Sequence, residues 1–405
     1  MAAARALRPV LIERAGETEQ RTYYSQETHE DFLAAGFYRM FVPRRYGGLE
    51  LELGDFLRVV IEIAAGDLST AWGLCLASAH ALHLATLFDE AAQTAAFGDG
   101  DFRCPAVAAP AGQAVRTGDG WEITGTWGYC SGAPYATHYM GQTFEAPAQP
   151  GGPPRQMLLF VVPRSEWRML DDWGDTLGLR GSGSHSIQME SAYVSAHSVL
   201  EGQWLVDTDT TQSPGLRLHG NPLYAGRTLS VFQSELSALA TGALKGALEE
   251  YESLIRTRRT QRPPIVARYL DPDYQRWFGQ AIARAAAAET LLAAVARQWS
   301  EYGRRFAAEG RVFSRADDLE LNVLAREALT LVWTSLQEDL FRTAGTSAAR
   351  SGGRIERAFR DVAMDWGHIG NVTRDWAWRE LARERLGLVD GAALKPDRPH
   401  VEASA

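Results

Sequence analysis

The stretch Gly120-Trp-Glu-Ile-Thr-Gly-Thr-Trp-Gly-Tyr-Cys-Ser-Gly132 shows how the chain is built. It begins as a β-rich run and ends in turn residues, which predicts a strand followed by a tight turn. Further β-rich runs, separated by turn residues, occur at 137–144, 157–162 and 186–190. The segment 146–154, rich in proline and glycine, is interpreted as a hairpin loop or a disordered tip. We therefore predict a middle β domain over residues 106–216.

Apolar residues before this domain recur with the spacing of an α-helix. Positions i, i+3, i+4 and i+7 of one predicted helix are Phe56, Val59, Val60 and Ile63. A second helix is predicted over 69–87, and a turn with permissive glycines, 43–48, precedes both. Residues 1–105 are therefore predicted to form an N-terminal helical domain.

Helical spacing returns after about residue 217 and continues in longer segments. Three long helices are predicted, at 229–258, 274–305 and 317–344. Gly345 follows the third helix as a stop signal, and a shorter helix is predicted around 373–386. Long helices joined in this order predict an antiparallel bundle over residues 217–405.

The composition is that of a soluble globular protein, with 45% hydrophobic and 22% charged residues in a chain of 405. The net charge of −9 argues against a nucleic-acid surface, because phosphate binding needs clustered positive charge. Cys75, Cys104 and Cys130 give no even disulfide framework and no Cys-x-x-Cys pair, which favours a reducing cytoplasm. We recognise no signal peptide and no apolar run near the roughly 20 residues of a membrane span. A cytoplasmic protein without a membrane partner is therefore expected.

Several common catalytic motifs are absent from the sequence. There is no Gly-x-Gly-x-x-Gly, no Walker P-loop, no Gly-x-Ser-x-Gly and no His-Glu-x-x-His. His80 and His83 could share a helix face and bind a metal, but Glu90 lies about two turns further on, too far to complete such a site. Neither a nicotinamide site nor a metal site is therefore expected.

Segments from all three parts of the chain resemble the acyl-CoA dehydrogenase superfamily, in the same order. They are 41–51, 67–72, 120–132, 178–184 and the pair Arg360-Asp361 followed by His368. The resemblance implies an N-terminal helical domain, a middle β-barrel or β-sandwich and a C-terminal antiparallel four-helix bundle. In dehydrogenases of this superfamily a glutamate often follows the Arg-Asp pair as the base. Here that neighbourhood offers His368 and no glutamate.

Within the superfamily the chain looks most like the oxygenase components of two-component (group D) flavin-dependent monooxygenases. These include the p-hydroxyphenylacetate and hydroxylated-steroid phenol hydroxylases. The resemblance implies a reduced flavin, FMNH2 or FADH2, that a separate NAD(P)H-flavin reductase supplies. It also implies that molecular oxygen forms a flavin C4a-hydroperoxide, which hydroxylates a small aromatic, phenolic substrate. Such enzymes usually assemble as homotetramers through the bundle.

The resemblance assigns roles to residues of the middle domain and the bundle. Ser131 would hydrogen bond flavin N5, and the strand ending at Trp127, Tyr129 and Cys130 would lie beside the flavin ring. Arg258, or its neighbours Arg256 and Arg259, would contact a flavin phosphate from a neighbouring subunit. From the residues alone, Ser131 is equally an ordinary turn serine and Arg258 a solvated helix end.

Two histidines are the candidates for acid–base and positioning work. Histidine has an ordinary pKa of about 6.5, which suits a base that ionises a phenol. His80 precedes Ser131 at a separation similar to that in p-hydroxyphenylacetate oxygenases, and His83 stays open as the alternative. His368 would protonate the peroxide or orient the substrate. The alternative for His80 and His83 is a core histidine bonded to a carbonyl group, and for His368 it is an interhelical hydrogen bond near Asp365 or Asp375.

Three other functions stay open from the sequence. An acyl-CoA dehydrogenase could use Glu235, on the first predicted helix of the bundle, as its base. A member of the same oxygenase branch could oxygenate nitrogen or sulfur instead of carbon. A flavin-free binding protein could retain the fold.

Overall fold

The computed structural model describes residues 1–98, 100–149, 152–153 and 155–388. The N-terminal part is helical, and its elements pack around one another before the first strand begins. They are α1 (Ala2–Arg21), α2 (Gln26–Ala35), α3 (Leu53–Ala64), α4 (Leu68–Leu87) and α5 (Glu90–Phe97). The predicted helices over 56–63 and 69–87 correspond to α3 and α4.

Helix α4 is the central element of this part. The side chain of Asp67 accepts a hydrogen bond from the backbone N–H of Thr70 at 2.8 Å and so caps its first turn. Nearly every residue of the helix is buried, because it packs against α3, against the bundle and against the sheet. A helix that is covered on all sides is the place where the three parts of the chain meet.

The middle part is one mixed sheet. Its strands are β1 (Ala106–Val107), β2 (Gln113–Thr117), β3 (Gly120–Trp127), β4 (His138–Glu145), β5 (Met157–Pro163), β6 (Arg168–Met169), β7 (Ile187–Ser195) and β8 (Val199–Glu201). Their order is β6-β7-β3-β2-β4-β5-β8, and β1 pairs with β4. Strand β3 lies antiparallel to β7 and to β2, with Trp121 opposite Val194 and Ile123 opposite Ala192.

The four predicted β-rich runs are all strands of this sheet. Strands β4 and β5 are antiparallel neighbours, with Phe144 opposite Met157, so the segment 146–154 connects a hairpin as one of the two interpretations predicts. Residues 150, 151 and 154 of that segment lie outside the described residues.

The C-terminal part is helical. Its elements are α6 (Pro214–His219), α7 (Leu229–Thr257), α8 (Pro272–Glu309), α9 (Arg315–Thr334), α10 (Arg342–Ala344), α11 (Arg354–Trp366), α12 (Ile369–Val372) and α13 (Arg374–Arg385). Helix α7 packs against α8, α9 and α11, and also against α3 of the N-terminal part. The mostly helical fold with a central sheet that the sequence predicts is therefore confirmed.

Two features of the bundle differ from the prediction. The third long helix is not regular to residue 344, because a π-helical segment, Ser335–Phe341, separates α9 from α10. Within it, Asp339 accepts hydrogen bonds from Arg284 of α8 at 2.5 Å and from Ser335 at 3.1 Å. Helix α11, which carries Arg360 and Asp361, was not predicted as a helix, although Ile355, Ala358, Phe359 and Val362 have the i, i+3, i+4 and i+7 spacing of an amphipathic helix.

No helix among the described residues combines the length and the hydrophobicity that crossing a bilayer requires.

Candidate active site

Ser131 lies on the turn that follows β3, and its hydroxyl group is held by two neighbours. The indole N–H of Trp72, on α4, donates a hydrogen bond to Ser131 Oγ at 3.0 Å. Ser184 Oγ lies 2.8 Å away on the other side, and Ser182 Oγ lies 2.6 Å from Ser184. A hydroxyl group has one donor and two acceptor positions. Two of these are used, so the fixed hydroxyl keeps one position for a bound group.

The loop that carries Ser182 and Ser184 is fixed by Asp361 of α11. Asp361 accepts a hydrogen bond from the backbone N–H of Leu179 at 2.7 Å and another from the hydroxyl of Ser69 at 3.3 Å. At Gly178 the loop passes so close to α11 that an added Cβ would lie 2.1 Å from the carbonyl oxygen of Arg360. The Arg-Asp pair thus joins the bundle, α4 and the serine loop.

The same aspartate has an unusual ionisation. Asp361 is fully buried, and this burial, with the negative charge of Asp67 nearby, raises its pKa to about 7. Arg360 pairs with Glu19 at 2.7 Å and also donates to the backbone carbonyl of Leu177 at 3.1 Å. Both members of the motif therefore contact the serine loop, Arg360 at Leu177 and Asp361 at Leu179.

His368 is the residue before α12 and caps it. Its Nδ1 accepts a hydrogen bond from the backbone N–H of Gly370 at 3.1 Å, so in the neutral ring the proton lies on Nε2. The imidazole packs edge to face on Trp72, with ring centroids 5.6 Å apart. Burial lowers the pKa of His368 to about 4. One tryptophan therefore contacts both Ser131 and His368, two of the three predicted catalytic residues.

His80 lies on α4 eight residues after Trp72, about 12 Å along the helix. Its Nδ1 donates to the backbone carbonyl of Cys104 at 2.7 Å, which leaves the lone pair on Nε2. Burial lowers the pKa of His80 to about 4. The ring lies 5.6 Å from that of His83 and 5.8 Å from that of Phe232, on α7. His80 is therefore a neutral hydrogen-bond acceptor in an aromatic surrounding.

The predicted cofactor residues after β3 face different ways. The side chains of Trp127 and Cys130 belong to the core of the sheet, where Trp127 Nε1 donates to the carbonyl of Gln142 at 2.9 Å. They could reach a cofactor only through backbone groups. Tyr129 is 68% exposed, has a positive φ of 63° and packs edge to face on Trp173, at 5.6 Å. Tyr129 thus presents an aromatic ring next to Ser131.

The structure does not bring Arg258 to this site within one chain. Arg258 follows the last residue of α7, 23 positions after Glu235. At 1.5 Å per residue, this separation corresponds to about 34 Å along the helix. Its guanidinium group donates to the hydroxyl of Ser347. A role for Arg258 therefore depends on a neighbouring subunit, as the sequence analysis supposes.

The hydrogen bond from Trp72 to Ser131 was not predicted from the sequence. Ser182 and Ser184 belong to the recognised segment 178–184, but their hydroxyl groups were not assigned a role. The sequence signal for such a role was the spacing of these two serines, which lie two residues apart. A surface cavity of about 420 Å³, lined by Arg21, Tyr23, Ser25, Gln26, Glu27, Pro134, Tyr135 and Met169, contains none of the predicted catalytic residues. We locate the site by its convergent polar groups instead.

Similar proteins are known at both the sequence and the structure level. A pigment production hydroxylase of Rhodococcus sp. (strain ATCC 21145) is 30% identical over 362 residues, which is 89% of each chain. The flavin-dependent monooxygenase, oxygenase subunit HsaA, of Rhodococcus jostii (strain RHA1) is 27% identical over 377 residues, 90% of this chain and 93% of that protein. The solved structure of XiaF from Streptomyces sp., in complex with FADH2 and glycerol, superposes with a TM-score of 0.86. It is 23% identical and covers 97% of this chain and 96% of its own.

Two family models match the chain at its ends. The N-terminal domain of acyl-CoA dehydrogenase matches residues 2–97, and the C-terminal domain of acyl-CoA dehydrogenase matches residues 235–372. Helices, sheet and bundle in this order, with a hydroxyl group fixed between them, define a protein of the acyl-CoA dehydrogenase fold. The chain belongs to the acyl-CoA dehydrogenase superfamily, among the oxygenase components of flavin-dependent monooxygenases. The resemblance seen in the sequence motifs is thereby confirmed.

Proposed function

We propose that this oxygenase component receives reduced flavin from a separate reductase and hydroxylates a small phenolic molecule with molecular oxygen. The observation that carries the proposal is the Ser131 hydroxyl group, held by Trp72 and Ser184 with one hydrogen-bonding position left, beside the imidazole of His368. This arrangement supplies a fixed polar contact for a flavin ring and a second polar group for the reacting oxygen or the substrate.

The residues around Ser131 fit a flavin ring. Its remaining hydrogen-bonding position is available to the ring edge, and Tyr129 with Trp173 offers aromatic surface next to it. Reduced flavin supplies the activation of molecular oxygen in this class of enzyme. Ser131 would hold the N5 proton in place and, with the buried surroundings of α4, keep water away.

The two histidines take complementary roles in this proposal. The Nε2 lone pair of His80 accepts the hydrogen of the phenol hydroxyl group and raises the electron density of the ring. The Nε2–H of His368 donates to the oxygen that is transferred or to the substrate oxygen. Both imidazoles are buried and neutral, so they orient these groups without adding a charge.

Acyl-CoA dehydrogenation is the second candidate, and the ionisation of Glu235 argues against it. Burial raises the pKa of Glu235 well above its ordinary value, which disfavours the ionised carboxylate that would act as the base. A protonated carboxyl group cannot remove a proton from a carbon next to a thioester.

The proposal also covers the cellular location and the oligomeric state of the protein. We place the chain in the cytoplasm as a homotetramer formed through the bundle, as the resemblance implies. Arg258 would then approach a flavin phosphate of a neighbouring subunit, since it lies far from Ser131 within its own chain. The substrate is an aromatic molecule that oxygen attacks at carbon.

The test is isotopic labelling with the reductase kept apart. A flavin reductase and NADH are placed across a dialysis membrane from the protein, a panel of phenols is supplied under ¹⁸O₂, and products are analysed by mass spectrometry. We expect one ¹⁸O atom per hydroxylated product. Absence of label in every phenol, together with bleaching of protein-bound oxidised flavin by an acyl-CoA, would contradict the proposal.

A further inference from the structure

We propose that Glu235 and His83 form a second polar subsite, which binds an uncharged oxygen substituent of the substrate, such as a hydroxyl, carbonyl or carboxamide group. The subsite would select against a substrate that carries a carboxylate at this position. The inference rests on the proposed function, because it places the aromatic substrate between α4 and α7.

Glu235 carries the argument because it is buried without a partner. It is 0% exposed, and neither of its carboxyl oxygens has a hydrogen-bond partner among the described residues. A buried polar group left unpaired is costly, so such groups are rare unless a ligand or a water satisfies them. Glu235 is close enough to Cys75, on the facing helix α4, to contribute to its raised pKa after burial.

His83 is unpartnered in the same way on the opposite helix. It is 1% exposed, and within the described part of the chain both ring nitrogens lack a hydrogen-bond partner. Its ring stacks on Phe232, with centroids 4.5 Å apart and planes at 17°. Phe232 and Glu235 are three residues apart on α7, as His80 and His83 are on α4, so each pair shares a helix face.

Two apolar side chains beside these groups, Phe232 and Leu76, are only partly buried. Leu76, His80 and His83 have the spacing i, i+4 and i+7, so they share one side of α4. Phe232 contacts the rings of both His80 and His83, so a partly exposed aromatic ring adjoins both histidines. We place the ligand on this side of Phe232.

The charge state of the pair decides the chemical class of ligand. Burial raises the pKa of Glu235 and lowers that of His83, so burial favours the neutral form of both groups. A neutral carboxyl group and a neutral imidazole each offer one donor and at least one acceptor. Neither has an ion-pair partner among the described residues. A hydroxyl or amide oxygen satisfies such a pair, whereas a carboxylate brings a charge for which no cation is present.

The test compares matched phenols on matched variants. The probes are 4-(2-hydroxyethyl)phenol, 4-hydroxyphenylacetamide, 4-hydroxyphenylacetate and 4-ethylphenol, which differ in the distal group alone. The variants are Glu235→Leu, Glu235→Gln and His83→Phe, with Glu252→Gln on the exposed side of α7 as the control. Dissociation constants are measured by calorimetry on the flavin-free protein, and kcat/KM is measured with reduced flavin.

We expect wild type to bind the two neutral oxygen probes about tenfold more tightly than 4-ethylphenol or the carboxylate, the effect of one good hydrogen bond. Glu235→Leu and His83→Phe should reduce this ratio to about one while 4-ethylphenol binding persists. Glu235→Gln and Glu252→Gln should retain most of it. The subsite would be overturned if Glu235→Leu kept the wild-type ratio of affinities. It would also be overturned if the variant lost the same affinity for every probe, as expected if Glu235 and His83 hold only water.

Failure of the proposed function gives a different pattern. In that case no probe is hydroxylated by wild type, yet the binding ratios still report whether the subsite exists. If Glu235→Leu unfolds below the assay temperature, the affinity ratios of Glu235→Gln, which should keep the preference, and of His83→Phe, which should lose it, decide whether the subsite exists. A preference that persists in His83→Phe contradicts the proposal.

Discussion

At the scale of single residues, the hydrogen bonds of the two predicted catalytic histidines fix their tautomers. The Nδ1 of His80 donates to a carbonyl group, whereas that of His368 accepts from a backbone N–H. The two rings therefore present opposite functions, an acceptor and a donor, at Nε2. An ordinary histidine titrates near 6.5, but burial lowers the pKa of both to about 4.

This ionisation predicts a flat pH response near neutrality. Both imidazoles stay neutral down to pH 5 and take up protons only as pH approaches 4. We therefore expect the fraction of reduced flavin that yields product, measured as the ratio of product to hydrogen peroxide, to be constant from pH 6 to 8. It should fall below about pH 5. A midpoint near 6.5 that disappears in His80→Gln or His368→Gln would contradict the assigned charge states.

Replacing Trp72 by phenylalanine removes a single N–H group, and we expect that less of the reduced flavin then yields product. Trp72→Phe keeps a ring beside His368 but removes one of the two hydrogen bonds that hold the Ser131 hydroxyl group and leaves the one with Ser184. Losing one such hydrogen bond is worth about 1 kcal/mol, so the ratio of hydrogen peroxide to product should rise roughly fivefold. The exposed tryptophan of α13 provides the control, Trp378→Phe. An equal ratio in both variants would remove Trp72 from the positioning of Ser131.

At the scale of elements, Asp361 joins α11, α4 and the serine loop through two hydrogen bonds. Asp361→Ala leaves the N–H of Leu179 and the hydroxyl of Ser69 without their acceptor, and we expect a loss of about 2–4 kcal/mol in unfolding free energy. Asp361→Asn keeps an acceptor for Leu179 and offers a donor to Ser69. Its stability near pH 8 should be equal to that of wild type or higher, as urea denaturation can measure.

Because the pKa of Asp361 is raised, the difference in stability between wild type and Asp361→Asn should depend on pH. The pKa of Asp361 in the folded protein, about 7, lies above the ordinary value of 3.8. The folding stability that comes from protonating this group is therefore fully present below pH 3.8 and is lost as pH rises through 7. From pH 5 to 7, wild type should lose about 2–3 kcal/mol relative to Asp361→Asn. Asp375→Asn, at an exposed aspartate of α13, is the control. A constant difference across this range would show that Asp361 is ionised throughout.

The elements also show what the sequence could predict. Helix α7 and strand β5 were predicted close to their observed ends, because long apolar periodicity and a β-branched run are strong local signals. Helix α11 was not predicted although its apolar residues have helical spacing, so a local signal was present there and was missed. The π-helical segment Ser335–Phe341 depends on a contact between α8 and α9 that local sequence does not contain.

For the site, the sequence predicted residue types better than their roles. Ser131 and His368 were singled out, and they meet around Trp72. The hydrogen bonds of Ser131 to Trp72 and Ser184 could not be predicted, because these partners are more than 50 residues away along the chain. The tautomers and the lowered pKa values depend on burial and on hydrogen-bond geometry, which only the folded chain supplies. The unpartnered state of Glu235 and His83 is likewise a property of packing and not of spacing.

At the scale of the whole molecule, the site that we propose draws residues from all three parts of the chain. Helix α4 carries Trp72 and His80, the sheet carries Ser131 with its serine loop, and the bundle carries His368 and Glu235. Because α4 is buried on all sides, hydrogen bonds from its side chains to a cofactor and a substrate would be strong. The oxygenase relatives and this proposed site together support the assignment of oxygenation.

Rapid mixing tests that assignment most directly. The protein is loaded with reduced flavin without oxygen, mixed with oxygenated buffer and followed by absorbance. We predict a transient spectrum, distinct from those of reduced and oxidised flavin, that outlasts the oxidation of free reduced flavin and decays faster in Ser131→Ala. Oxidation as fast as that of free flavin, with no transient in wild type, would contradict the account.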